Sequence, residues 1–262
     1  MATVTIAGLG VVGSAMKTHF EAQGIDTAIY DPGKNYSDDT VLRTSQTVFI
    51  CVPTPYLEDG GFDDAAVRDV LSRIGTGATA VIKSTVIPGT TEKLQEEYPG
   101  VKLLFSPEFL TEKTALDDFS HPTRQIVGFT EQSESEAGRI LKMLPRAPYE
   151  KILPSRTAEM IKYMNNTFYA LKVTYANTIY DLCKTLGIDY DSVAEGAVSE
   201  EPMMGSNHWN VLHGGYRGYG GKCLPKDVRA LIQLAETHGS DARLLRLMEE
   251  LNAENAKKDI TE

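Results

Sequence analysis

Short apolar runs alternate with amphipathic stretches through the first half of this chain. Six runs are rich in β-branched or aromatic residues: TVTIAG (3–8), DTAIYD (26–31), VFICVP (48–53), TAVIKST (79–85), KLLFSP (102–107) and RQIVGF (124–129). Helical spacing occurs near 11–23, 63–74, 90–97 and 132–143. This alternation predicts an α/β domain with a mostly parallel sheet and helices on both of its faces.

The pattern changes after Pro154. From Ser155 to Leu186 there is no proline or glycine, and apolar residues recur at helical spacing, which predicts one long helix ending at Gly187. Further helices are predicted from about residue 189, over 226–238 and over 241–258. We therefore predict two domains, a dinucleotide-binding domain over 1–150 and an all-helical domain over 151–262.

Composition and charge narrow the class of protein. The 262 residues carry a formal net charge of −10, and this disfavours a nucleic-acid partner because phosphate contact needs a basic face. No apolar run approaches the roughly 20 residues that span a bilayer, so no membrane partner is expected. The three cysteines are widely spaced and the histidines are scattered, which predicts neither a disulfide framework nor a metal site. The cytoplasm is the simplest location.

A glycine turn follows the first predicted strand and opens the first predicted helix. In Gly8-Leu9-Gly10-Val11-Val12-Gly13, the glycines permit a tight turn, close approach of a pyrophosphate and close packing of the helix on the strand. The helix N-terminus, at Val11 and Val12, offers free N–H groups to phosphates. Asp31 closes the second strand, where a carboxylate accepts ribose hydroxyls. This Rossmann-type pattern favours NAD, although Lys34 leaves NADP open.

The segment GYGGKCLPKD (218–227) places Cys223 in a glycine-rich turn between Lys222 and Lys226. Pro225 is compatible with a first helical turn, so the thiol is predicted at a helix N-terminus. Neighbouring cations and a helix N-terminus both favour the thiolate form that a nucleophile needs. A cysteine among glycines is nevertheless more often structural than catalytic. Cys51 and Cys183, in a strand and on a helix, are assigned to structure.

Two polar residues on the long predicted helix form a second candidate group. Lys162 and Asn166 lie four residues apart and therefore share a helix face. On an arbitrary helix such residues are usually solvated. The thiol of Cys223 and the carboxylate of Asp227, four residues later, favour a functional role for Lys162 and Asn166 over a merely solvated one.

Taken together, six motifs resemble, in the same order, those of the UDP-glucose/GDP-mannose dehydrogenase family. They are GLGVVG (8–13), CVPTP (51–55), KSTVIPGTT (83–91), SPEFLTE (106–112), AEMIKYMNN (158–166) and GYGGKCLPKD (218–227). The resemblance implies a dinucleotide domain followed by a helical domain that catalyses and dimerises.

Carried over motif by motif, the resemblance implies roles for individual residues. Cys223 is the nucleophile, Glu108 serves thioester hydrolysis, and Thr85 lies near the nicotinamide. Proton transfer and contact with the sugar oxygen fall to a group consisting of Lys162, Asn166 and Asp227. The residues implied to line the cofactor, besides the glycine turn and Asp31, are Val52, Pro53, Thr54, Ser84, Thr85 and Glu112.

The implied reaction is the four-electron oxidation of a UDP- or GDP-sugar's terminal primary alcohol to the carboxylate by NAD, by a homodimer formed through the helical domain. Two other hypotheses stay open. A two-electron dehydrogenase of the β-hydroxyacid type also joins a dinucleotide domain to a helical domain and uses a helix lysine, but it needs no thiol. The other hypothesis is a truncated, non-catalytic protein that binds NAD and acts as a regulatory or assembly partner.

The sequence departs from the family in three places. The family continues into another nucleotide-binding domain that holds the substrate's UDP or GDP, whereas this chain stops after the helix over 241–258, so it is either truncated or naturally short. Only about 17 residues separate Asp31 from the next strand, where family members carry more. Finally, Pro202-Met203-Met204-Gly205 stands where the family often has an arginine that contacts the sugar, and Arg217 is the candidate replacement.

Overall fold

The structure is a computed structural model that describes residues 4–57, 61–199, 208–212 and 215–257. It divides into two compact units, the first ending at Lys162 and the second beginning at Tyr163. The long helix Ser155–Leu186 begins in the first unit and continues into the second. The domain boundary near 150 stays a prediction.

The first unit is built on a sheet of seven strands. A separate two-stranded ribbon is formed by β4 and β5. In chain order, the strands of both sheets within the described residues are β1 Val4–Ala7, β2 Thr27–Tyr30, β3 Thr47–Ile50, β4 Tyr56–Leu57, β5 Gly61–Phe62, β6 Thr79–Ile82, β7 Lys102–Phe105, β8 Arg124–Phe129 and β9 Tyr149–Pro154. The order across the large sheet is β2-β1-β3-β6-β7-β8-β9. The first five strands in that order are parallel, β8 runs antiparallel to β7, and β9 is parallel to β8.

Helices cover both faces of this sheet, as the alternation predicts. They are α1 Val11–Ala22, α2 Thr40–Thr44, α3 Ala65–Arg73, α4 Thr90–Glu97, α5 Ala115–Ser120 and α6 Glu134–Met143, with short 3₁₀ turns at Pro32–Lys34 and Glu112–Thr114. One apolar cluster joins the sheet to α2, α3 and α4, and another joins it to α1, α5 and α6. Every residue of β1, β3 and β6 is buried, as expected for central parallel strands. The doubly wound fold is confirmed.

Strand β9 is absent from the sequence prediction. Its segment, YEKILP, is exposed or half-buried at every position, because it lies at the edge of the sheet with a neighbour on one side. No apolar run marks such a strand, and pairing with β8 supplies its backbone hydrogen bonds instead. The predicted boundary at 150 falls inside this strand.

The second unit is helical where it is described. Its elements are α7 Ser155–Leu186, which begins in the first unit, α8 Tyr190–Val198, α9 Leu224–Thr237 and α10 Arg243–Asn255. The predicted long helix is confirmed at both ends. Small side chains such as Ala170, Val173 and Ala176 form its buried face in the second unit. Most of the large apolar residues that gave the helix its periodicity are exposed instead.

Glu159, in the first unit, caps the start of α4. Its side chain is fully buried, Oε2 accepts from Gly89 N at 2.6 Å, and Oε1 accepts from Thr91 N at 2.9 Å and Thr91 Oγ1 at 2.6 Å. Burial of the carboxyl raises the pKa of Glu159 to about 7. Between the pKa of this carboxyl in the unfolded chain and its pKa in the folded chain, the native state therefore holds a proton that the unfolded chain has lost.

We expect this proton to make the free energy of unfolding fall by about 3 kcal/mol as the pH rises from about 4.5 to 7. Glu159→Gln cannot titrate and should flatten that slope, measured by urea unfolding at several pH values. Glu96→Gln is the matched control, since Glu96 is an exposed carboxylate of α4, the helix that Glu159 caps. An unchanged slope in Glu159→Gln would contradict the assignment.

Candidate active site

The glycine turn of the first unit lies between the carboxyl ends of β1 and β3, where the strand order reverses. Gly8 has φ of +95° and its N–H donates to Tyr30 O at 2.8 Å. A Cβ on Gly8 would lie 2.7 Å from Cys51 O, and one on Gly13 would lie 1.9 Å from Gly8 O. Both positions therefore exclude any side chain, and the turn is as tight as the sequence predicts.

Gly10 is different, because no described atom lies within 4 Å of a Cβ built on it. It is the N-cap of α1, and no described side chain caps that helix end. The first N–H groups of α1, at Val11 and Val12, thus lie beside open space with Val11 exposed. An uncapped N-terminus with a glycine facing open space fits a pyrophosphate.

Asp31 is held against the same turn. Its Oδ2 accepts from Leu9 N at 2.7 Å, and its Oδ1 accepts no hydrogen bond from the residues that the structure describes. Lys34 Nζ donates to Leu9 O at 2.5 Å, so that lysine is engaged by the turn itself. The free carboxylate oxygen is suited to a ribose hydroxyl, as expected for NAD.

The other predicted cofactor residues lie just after β3 and β6. Ser84 is buried and its Oγ donates to Val52 O at 2.6 Å, while Thr54 Oγ1 donates to Thr85 O at 2.7 Å. Pro53, between them, is exposed. These bonds fix the two loops beside each other at the carboxyl edge of the sheet, where α/β folds bind ligands. The side chain of Glu112 lies outside the described part of the chain.

Glu108 follows β7 and is anchored on several sides. Its Oε2 lies 3.0 Å from Lys83 Nζ, its Oε1 accepts from Phe109 N at 3.0 Å, and its backbone O accepts from Lys162 Nζ at 2.5 Å. Lys83 is buried and also donates to Ser106 Oγ at 3.2 Å. Sequence reasoning gave Lys83 no role, although a lysine ending the apolar run TAVI is a signal for one.

In the second unit, Cys223 is the N-cap residue of α9, with Pro225 in the first turn, as predicted. Its thiol is exposed. Asp227 is fully buried one turn later, where its Oδ1 accepts from Lys226 Nζ at 2.7 Å and its Oδ2 accepts from Asn166 Nδ2. The structure thus joins Asn166 and Asp227, two of the predicted catalytic residues.

The glycine-rich turn before Cys223 is fixed by a residue that the sequence did not reveal. Asn252, on α10, accepts from Tyr219 N at 2.7 Å and donates to Tyr219 O at 2.8 Å. Gly218 has φ of +86°, and a Cβ there would lie 2.3 Å from Asn252 Oδ1. An asparagine near the end of a helix carries no sequence signal for such a contact.

The other two cysteines differ from Cys223. Burial raises the pKa of the Cys51 thiol to about 12, so it stays protonated, and Cys183 is buried in an apolar cluster. Arg217, the candidate sugar contact, is buried and paired with Asp181 at 2.7 Å, so its charge is neutralised within the fold. The segment 202–205, which stands where the family often has an arginine, lies outside the described residues.

Two sequence models of one family match this chain. The model for the NAD binding domain of the UDP-glucose/GDP-mannose dehydrogenase family matches residues 34–144, and the model for its central domain matches residues 156–254. The chain belongs to the UDP-glucose/GDP-mannose dehydrogenase family. The first unit is therefore the family's NAD-binding part, in agreement with the open turn at Gly10 and the carboxylate of Asp31.

Individual members of the family are similar over most of this chain. UDP-glucose 6-dehydrogenase of Pseudomonas aeruginosa is 38% identical over 234 residues, which are 81% of this chain and 49% of that protein. GDP-mannose 6-dehydrogenase of Pseudomonas putida is 33% identical over 78% of this chain and 50% of its own. A UDP-glucose dehydrogenase structure from Pyrobaculum islandicum superposes with a TM-score of 0.83 at 29% identity, over 97% of this chain and 68% of the other. The chain spans about half the length of the curated relatives it matches.

Two further findings concern the described residues alone. None of their helices has the length and apolar character that crossing a bilayer requires. No group of three or more His, Cys, Asp or Glu side chains among them is arranged to hold a metal ion.

Proposed function

We propose that this chain oxidises the terminal primary alcohol of a nucleotide sugar to the carboxylate in two NAD-dependent steps through covalent catalysis by Cys223. The observation that carries the proposal is the exposed thiol at the start of α9, one turn before a buried carboxylate held by Asn166. The named activities of the relatives agree with it, since they act on UDP-glucose or GDP-mannose. The chemistry supplied by NAD is acceptance of one hydride in each oxidation.

In the first oxidation, the alcohol loses its proton through water to the Asp227 carboxylate, and its carbon loses a hydride. Lys162 stabilises the developing alkoxide, and its bond to the Glu108 carbonyl sets the position of its ammonium. Asn166 and Asp227 orient each other, so the amide presents a fixed donor and the carboxylate a fixed acceptor. Thr85, whose carbonyl accepts a hydrogen bond from Thr54, is the residue that would border the nicotinamide.

The aldehyde is then captured. The Cys223 thiolate adds to its carbon and the oxygen takes up a proton, which gives a thiohemiacetal that keeps one C–H on the reacting carbon for a second hydride transfer. Loss of that proton and of a second hydride leaves a thioester. Water attacks the thioester, Glu108 takes the water's proton, and breaking of the C–S bond releases the acid and restores the thiolate. A free aldehyde would instead diffuse away between the two oxidations.

The second unit also carries a surface suited to a homodimer. Five large apolar side chains of α7 share an exposed stripe: Met164, Phe168, Tyr175, Leu182 and Leu186, which are 51–70% exposed. A monomer gains nothing from such a stripe, and contiguous exposed apolar surface usually marks an interface. We propose that two copies of the chain pair through it.

Leu182→Glu should therefore convert a dimer into a monomer, measured by size-exclusion chromatography with light scattering. Leu182 is 53% exposed, so a glutamate there is tolerated by the isolated unit but places a charge in the apolar contact. Lys184→Glu, at an exposed position two residues on and therefore on another side of the helix, is the control and should leave the dimer intact. A chain that is monomeric before any substitution would rule out the interface.

The proposed function is tested by incubating the chain with NAD and a panel of UDP- and GDP-sugars, following NADH absorbance and identifying products by mass spectrometry. We expect a sugar acid with at least one member of the panel. A product that stops at the two-electron stage with every substrate would favour the β-hydroxyacid type of dehydrogenase. NAD binding without turnover of any sugar would favour the non-catalytic partner.

The compartment follows from the same thiol. A cysteine that acts as nucleophile must stay reduced, and the chain's three cysteines are free. We propose that the chain works in the cytoplasm.

A further inference from the structure

A buried lysine beside Glu108 has no part in the proposed reaction. Lys83 follows β6, whose residues are all buried, and its own side chain is about 1% exposed. Its ammonium has two described partners, Glu108 Oε2 at 3.0 Å and Ser106 Oγ at 3.2 Å. Burying an ammonium costs several kcal/mol, so an apolar residue would serve the core better than an isolated lysine. The position is therefore explained by what the charge does to its partner.

The two oxygens of the partner carboxylate have different surroundings. Glu108 Oε1 accepts from Phe109 N, while Oε2 is buried and accepts no directed hydrogen bond from the described residues. Its contact with Lys83 is an ion pair. A carboxylate that activates water must be fixed in orientation and still able to accept a proton. Because Oε2 is buried against Lys83, the lone pair that Oε1 keeps beside its bond from Phe109 N is the one available for that proton.

Other charged groups near Glu108 do not replace Lys83. Lys162 donates to the backbone carbonyl of Glu108, and Arg124 lies over the Phe109 ring, 3.8 Å from its centroid. The Cys51 thiol is neutral because burial raises its pKa to about 12. The ion pair with Lys83 is the one that the described residues give this carboxylate.

We propose that Lys83 is a positioning residue that pairs with the Glu108 carboxylate and orients it, so that Glu108 can take the proton of the water that hydrolyses the thioester. This inference rests on the proposed function for the identity of the step. The pairing itself requires no substrate, because both residues belong to the first unit.

The first test measures Glu108 directly, in the chain without substrate. Carbon-13 labelled glutamate followed by NMR across pH reports protonation of each carboxyl, and Glu108→Gln assigns the signal. In Lys83→Met we expect Glu108 to take up its proton at a pH about one unit or more above wild type, because an opposite charge at this distance favours the ionised form. Lys83→Arg should restore the wild-type curve. Lys102→Met, which breaks the ion pair with Glu136, is the control.

A Glu108 curve that is the same in wild type and Lys83→Met would overturn the inference. If Lys83→Met alone does not fold, the double variant with Glu108→Gln decides, since it removes both buried charges. We expect the double variant to be more stable than Lys83→Met, because an uncompensated carboxylate is no longer buried. Equal instability would mean that the lysine serves packing alone and would also overturn the inference.

The second test separates the steps of the reaction. In Lys83→Met, the pH below which release of the acid slows should move up by about one unit or more, while formation of the first NADH keeps the pH profile of wild type. Equal slowing of both steps at all pH values would contradict a role through Glu108. A chain that oxidises no sugar would refute the proposed function and leave the NMR test of Lys83 intact.

Discussion

Replacing Cys223 with serine is expected to abolish acid formation, lowering its rate by about 10³-fold or more. A serine hydroxyl is a much weaker acid and a poorer nucleophile than a thiol, so it cannot capture the aldehyde at a useful rate. The first hydride transfer needs no covalent bond to the enzyme and should survive. The variant is therefore expected to produce one NADH per sugar and then stop, with the aldehyde or its hydrate detectable by mass spectrometry.

Cys183→Ser is the matched control for this experiment. Cys183 lies in an apolar cluster of the second unit with Ala176, Tyr190 and Val211, and it has no proposed contact with substrate. Its substitution should leave acid formation in place even if the free energy of unfolding falls slightly. Full acid formation by Cys223→Ser would remove the thiol from the mechanism.

The second large effect concerns the glycine turn, where alanine at Gly10 should weaken NAD binding and alanine at Gly13 should destabilise the fold. Gly10→Ala places a Cβ in open space, so we expect an unchanged free energy of unfolding and a Kd for NAD raised by about tenfold or more. Gly13→Ala places a Cβ 1.9 Å from Gly8 O and should destabilise the fold by about 3 kcal/mol or more. Isothermal titration with NAD and urea unfolding measure the two quantities.

Each glycine variant serves as the control for the other. Loss of stability in Gly10→Ala would mean that the turn is closed by contacts within the fold, and NAD binding of wild-type strength in that variant would mean that the pyrophosphate does not approach Gly10. Wild-type stability in Gly13→Ala would contradict the close packing of α1 on β1.

The sequence was most informative where one local requirement dominated. Gly8 and Gly13 have no room for a side chain, so glycine spacing after an apolar strand predicted the turn correctly. Ser155 and Gly187 flank a stretch without helix breakers, and α7 has the predicted length. Pro225 fits a first helical turn, and Cys223 is the N-cap of α9.

Prediction failed where partners distant in sequence decide the outcome. Strand β9 has no apolar run because its hydrogen bonds come from β8. Helical spacing on α7 predicted a helix without telling which stripe is buried, and the stripe with Phe168 and Leu182 is exposed. Lys83 and Asn252 act through contacts with residues more than 20 positions away, which no local pattern encodes.

The stoichiometry of NADH tests the central claim most directly. With NAD in excess and the nucleotide sugar limiting, NADH formed is divided by sugar consumed, for the wild-type chain and for Cys223→Ser. Two NADH per sugar in wild type and one in the variant are the results that covalent four-electron oxidation predicts. One NADH per sugar in both proteins would contradict it.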